Sequence, residues 1–126
     1  MLPAQARLRR RPEFSAVVRS GRRAGRPTMV LHYLSERPGQ PAGDLPSPAV
    51  ARAGFVVGKS VGNSVVRHRV TRRLRAVVRA ELGRLPDRAD LVVRARPEAA
   101  DADSTVLQRD LASALDRLLG DRARTR

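Results

Sequence analysis

The chain has 126 residues, enough for one hydrophobic core but not two, and its 41% apolar content is too high for wholesale disorder. Its 26 basic residues against 12 acidic ones give a net charge of +14, which attracts polyanions, and the commonest cytoplasmic polyanion is nucleic acid. Cysteine is absent, so disulfides and thiolate metal sites are excluded, and no stretch has the length of a signal peptide or a membrane span; a cytoplasmic protein is expected. All the basic residues except Lys59 are arginine, which forks onto phosphate and stacks on bases better than lysine. The charge is uneven. Residues 52–96 hold twelve basic groups against Glu81, Asp87 and Asp90, whereas residues 97–126 hold five arginines against six acids. The binding surface is therefore expected in the first two thirds, with the last third as scaffold, and residues 1–126 as a single domain.

In chain order, residues 1–11 read as a basic arm with little to bury. Arg11-Pro12-Glu13-Phe14 then resembles a helix start, with Pro at the first helical position and an acid in the first turn. Phe14, Val17 and Val18 share one face, and Ser20-Gly21 is a stop. Thr28–Leu34 alternates as a strand, with Met29, Leu31 and Tyr33 opposite Val30, His32 and Leu34. Residues 35–48 hold four prolines and two glycines and read as a flexible loop. Ala49–Val57 is a further strand, where Gly54 predicts a bulge or a close backbone approach.

After the glycine-broken loop Gly58–Ser64, residues 65–82 predict a helix with Val66, Val70, Leu74, Val77 and Val78 along one stripe. His68, Arg72, Arg75 and Arg79 face away from that stripe, and Arg69 and Arg73 lie on its flank. Asp90–Arg96 is another strand, closed by Pro97. Thr105–Gln108 matches a capping box for a last helix that ends at Gly120, leaving 121–126 as a tail. Helices and one small sheet in this order predict an α+β sandwich.

The arginine helix is the strongest functional signal. Its cations repel one another by a few tenths of a kcal/mol per i,i+4 pair, and phosphates would turn that repulsion into attraction. A merely solvated face is the plainer reading, but no acid offsets the run before Glu81. Gly54–Ser60 imitates a phosphate-cradling loop but has three residues, not four, between its glycines, and Gly62-Asn63 delays the helix that should open at Lys59-Ser60. His32 and His68 are far apart without cysteine, and the acids form no catalytic pair, so neither a metal site nor catalytic machinery of the chain's own is expected. The aromatic residues Phe14, Tyr33 and Phe55 allow at most a small stacking platform. Charge and pattern alone also admit a ribosomal protein or a non-specific RNA-binding module.

The run Lys59-Ser-Val-Gly62-Asn63-Ser-Val-Val-Arg67-His-Arg69-Val-Thr-Arg72-Arg73-Leu-Arg75 closely resembles the signature of the ribonuclease P protein family: a lysine, a Gly-Asn-Ala/Ser loop and an Arg-Asn-Arg helix. Arg7–Phe14 is similar to the family's opening segment, Met29–His32 to its first strand and Asp90–Pro97 to its fourth. The resemblance implies an αβββαβα fold with a left-handed βαβ crossover, shared with a ribosomal-protein domain. It implies two RNA partners, a catalytic RNA that performs Mg2+-dependent hydrolysis and a precursor tRNA whose 5′ leader is removed, with no membrane or small-molecule partner. Lys59, Asn63, Arg67, His68, Arg69, Arg72, Arg73, Arg75 and Arg79 would contact RNA, and Phe14, Val18, Met29 and His32 would line a leader cleft between the first helix and the sheet. Four positions depart from the family pattern: His68 replaces Asn, Thr71 replaces Lys, Val18 stands where an aromatic is frequent, and His32 where Tyr is.

Overall fold

The structure, a computed structural model, describes residues 6–8, 11–35 and 51–124, with side chains as far as residue 120. All of the expected 35–48 loop beyond Ser35, and most of the basic arm, lie outside the described residues. The elements are α1 (Arg11–Ser20), β1 (Arg22–Gly25), β2 (Met29–Leu34), β3 (Arg52–Val56), α2 (Ser64–Glu81), β4 (Asp90–Ala95) and α3 (Ser104–Arg124). Short 3-10 turns, Leu82–Arg84 and Pro97–Asp101, follow α2 and β4. The order αβββαβα is the one the resemblance implied.

The sheet runs β1-β2-β4-β3, with β4 antiparallel to β2 and parallel to β3. The unit β3–α2–β4 is therefore the crossover. On one face Met29, Leu31 and Tyr33 from β2, Leu91, Val93 and Ala95 from β4, and Ala53 from β3 meet the stripes of α2 and α3. Those stripes are Val70, Leu74, Val77 and Val78, and Leu107, Leu111, Ala114, Leu115 and Leu118, all buried. Each such leucine contributes about 1.5–3 kcal/mol of burial. Asp110 ties α3 to the sheet by accepting hydrogen bonds from the Thr28 amide (3.1 Å) and hydroxyl (2.6 Å). The opposite face carries a smaller cluster of Leu8, Val17 and Val92, against which Phe14 and Leu34 pack. There α1 covers only part of the sheet.

Several expectations need correction. The strand from Met29 is the second, not the first, because Arg22–Gly25 pairs with it; β1 shows one buried side chain, Ala24, and so has no apolar alternation to reveal it. The arm does bury residues: Ala6 and Leu8 are nearly inaccessible, and the Leu8 amide donates to the Ala53 carbonyl (2.9 Å) at the edge of β3. The last helix is capped by Asp103, whose carboxylate accepts from the Val106 amide at 3.0 Å, so Thr105 lies inside the helix. It also continues through Gly120 to Arg124, into the stretch expected as a tail, since one glycine costs only about 1 kcal/mol in an established helix.

Candidate RNA-binding surface

The α2 surface begins with a turn in which Val61 is buried and its amide donates to the Gly58 carbonyl. A Cβ on Gly62 would come within 2.8 Å of the Val66 side chain, so glycine lets the loop close onto the helix. Asn63 is the N-cap, its side chain accepting from the Val66 amide at 3.0 Å. Its first service is thus to start the helix. Lys59 is exposed in the turn before it.

Beyond the cap, the buried stripe rotates the remaining residues outward. His68, Arg72 and Arg79 are exposed; Arg67, Arg69, Arg73 and Arg75 are half-buried. The flank arginines have structural partners: Arg73 donates to the Ala102 carbonyl at 2.9 Å, and Arg69 donates to that of Ala100 over a longer 3.4 Å. They fasten α2 to the turn that leads into α3. Arg75 faces the other way, lining a hollow of about 250 Å³ with Thr71, Arg7, Leu8, Phe14 and Phe55. Among the described residues, none of the α2 arginines has an ion-pair partner, whereas Arg84 just beyond them pairs with Glu81 and Asp116.

A groove lies between α1 and the sheet. It holds about 500 Å³ and is lined by Phe14, Ser15, Val18 and Arg19 of α1, Val56 of β3, and Val92 and Arg94 of β4. Val18 and Val56 are large apolar side chains left 42% and 39% exposed along it. Phe14 also lines the hollow containing Arg75, so the groove leads toward the arginine helix. Gly54 makes this possible: a Cβ there would lie 2.4 Å from Phe14 Cζ and 2.8 Å from Leu8 Cβ. The close backbone approach expected at Gly54 is made by the Phe14 ring.

Two of the residues expected in this cleft are placed differently. Met29 is fully buried in the α2/α3 core, because odd positions of β2 point away from α1. His32 is on the α1 side but only 5% exposed, beneath the surface, and its Nε2 has no hydrogen-bond partner among the described residues. Burial, then the positive charges of Arg94 and Arg23, lowers its pKa below the ordinary imidazole value and favours the neutral ring. Sequence reasoning missed Arg19, Val56, Val92 and Arg94, which reach the groove only through strand register. It also missed Arg52, which donates to both Asp90 oxygens (2.9 and 2.7 Å) and to Glu13 (2.7 Å), locking α1 onto the sheet. The Asp90 hydrogen bonds lead in raising the Arg52 pKa.

A comparison with known proteins joins this geometry to a family. The family model described as Ribonuclease P matches residues 2–119. A ribonuclease P protein component from Streptomyces griseus is 53% identical over 98% of this chain and 100% of its own length, and one from Corynebacterium diphtheriae is 48% identical over 94% and 97%. The chain belongs to the ribonuclease P protein family. Solved structures of ribonuclease P proteins share its fold: that from Staphylococcus aureus has a TM-score of 0.72 at 21% identity, covering 88% of this chain and 93% of that one. The Thermotoga maritima protein gives 0.70 at 23% identity, covering 88% and 96%.

Among the described residues, no three His, Asp or Glu side chains group together. The buried acids are committed, Asp90 to Arg52 and Asp110 to Thr28. No helix among the described residues is long and apolar enough to cross a membrane.

Proposed function

We propose that this chain is the protein subunit of ribonuclease P, and that it binds the catalytic RNA through α2 and the 5′ leader of precursor tRNA in the α1 groove. The observation that carries the reading is the α2 surface: cations without acidic partners among the described residues, next to a groove with an apolar floor and the arginines Arg19 and Arg94 at its rim. Phosphates would neutralise the helix, and an extended single strand could lay bases along Val18, Val56 and Phe14. Arg67, His68, Arg72, Arg75 and Arg79 are the intended RNA contacts, with Lys59 at the preceding turn. Arg69 and Arg73 keep spare guanidinium donors beyond their carbonyl bonds. In this reading Mg2+ belongs to the partner RNA and supports the hydrolysis there, while the protein holds and orients both RNAs.

The test is cleavage of labelled precursor tRNA in magnesium by the protein, by the catalytic RNA, and by both together. The expected result is site-specific removal of the leader only when the RNA is present, enhanced by the protein. Efficient cleavage by RNA-free protein would contradict the reading.

A further inference from the structure

Of the large apolar side chains that are exposed among the described residues, Val18 and Val56 line the groove. The third, Val65, does not. It is 70% exposed in the first turn of α2 and lies against a separate open hollow of about 360 Å³. The hollow is lined by Ser64, Val65, His68, Arg69 and Arg72, mainly through apolar surface. Positions 65, 68, 69 and 72 follow the i, i+3, i+4, i+7 pattern, so they form one continuous strip along the helix. Within that strip a valine and an imidazole stand beside two guanidiniums.

We propose that this hollow is a seat for one unstacked RNA base, with Val65 as its floor, the His68 ring as its stacking partner and Arg72 holding an adjoining phosphate. The proposal rests on the RNA-binding reading of α2 and adds a second kind of contact to it. Charge complementarity selects the occupant. Arg69 and Arg72 flank the hollow, the first turn of α2 holds no acid, and the chain carries +14 overall, so a basic peptide or a second copy of this chain is repelled. An RNA strand supplies both required parts, an apolar face for Val65 and His68 and an anion for the guanidiniums. Phosphate contact alone gives Val65 nothing to cover it.

The two kinds of contact respond differently to salt, which makes the seat testable. Dissociation constants of the full-length protein with its own catalytic RNA transcript would be measured across a salt series, with circular dichroism confirming the fold of each variant. Val65→Ser and His68→Ala should each weaken binding roughly 5- to 100-fold at fixed salt, the range of one stacked base, without changing the log–log salt slope. His68→Phe should retain or tighten binding, because a ring remains. Arg72→Ala should instead reduce the slope by roughly 0.7–0.9. If Val65→Ser and His68→Ala stay within about twofold of the parent while Arg72→Ala lowers the slope, the helix grips phosphates and the base seat is wrong. If all three variants leave affinity and slope unchanged, the RNA-binding reading of α2 fails and the seat with it.

Discussion

The two faces of the sheet are built from the same alternating strands and end in opposite conditions. On one, α2 and α3 together close a core in which Met29, Leu31, Leu74, Leu111 and Leu115 are essentially inaccessible. On the other, α1 contributes ten residues and one fully buried side chain, Val17, and leaves Val18, Val56 and Arg94 to solvent. The closed face supplies the stability of the domain. The open face relies on a local lock, the Arg52 bridge to Glu13 and Asp90, to hold α1 at a fixed distance without filling the space beneath it. On this face a polar lock therefore supplements the small cluster of Leu8, Val17 and Val92, and the space left open is the groove proposed above for the leader.

Damage to the closed face should be the most severe. Leu74→Asn in α2 and Leu111→Asn in α3 each remove a fully buried leucine and leave an amide inside, a combined cost of about 4 kcal/mol or more. Both variants should lose the cooperative thermal transition; a melt near that of the parent would show that this face is less closed than described. The next effect belongs to the lock. Arg52→Ala removes both hydrogen bonds to the Asp90 carboxylate, which is buried at 2% exposure, together with the bond to Glu13, and should cost about 3 kcal/mol in chemical denaturation. A change below about 0.5 kcal/mol would mean that α1 is held by apolar contacts alone.

Phe14→Ala should act on binding more than on folding. The ring packs beside the small Leu8–Val17–Val92 cluster yet lines both hollows, so its loss should weaken leader-bearing precursor tRNA by about 1–3 kcal/mol relative to mature tRNA. Equal losses for the two RNAs would assign Phe14 to packing only. The smallest effect is a pH dependence from His32. Burial, with Arg94 and Arg23, lowers its folded-state pKa, so the unfolded chain takes up the proton first as pH falls. The stability it contributes is complete above the ordinary value of 6.5 and is lost as pH falls through the lowered folded value. His32→Gln should flatten the denaturation midpoint between neutral and mildly acidic pH; an unchanged profile would remove His32 as the source.

The closed face was largely legible in the sequence, because Val70, Leu74, Val77 and Val78, and then Leu107, Leu111, Ala114, Leu115 and Leu118, repeat with the helical period. The α2 arginines were legible for the complementary reason, since a helix that buries one stripe must present the other. What could not be read is whatever depends on register between distant segments. Nothing local in Arg52 marks it as the partner of Glu13 and Asp90, 39 and 38 residues away. Met29 and His32 belong to one strand and were assigned to one cleft, but their spacing is odd, so alternation sends them to opposite faces. Val56 and Arg94 reach the groove only because β3 and β4 pair in parallel with these two residues side by side. β1 escaped notice because its exposed arginines show no pattern of burial.

In the proposed reading the outer face of α2 grips RNA through its cations, while the outer face of α3, with arginines and acids mixed, does not. Arg72 and Arg117 are both exposed arginines on the two long helices, so they make a matched pair. The decisive measurement is the salt dependence of binding to the catalytic RNA for Arg72→Ala and Arg117→Ala, each checked for an unchanged melt. Arg72→Ala should lower the log–log slope by roughly 0.7–0.9, and Arg117→Ala should leave it within error of the parent. Equal slopes for the parent and both variants, or a larger loss at Arg117 than at Arg72, would contradict it.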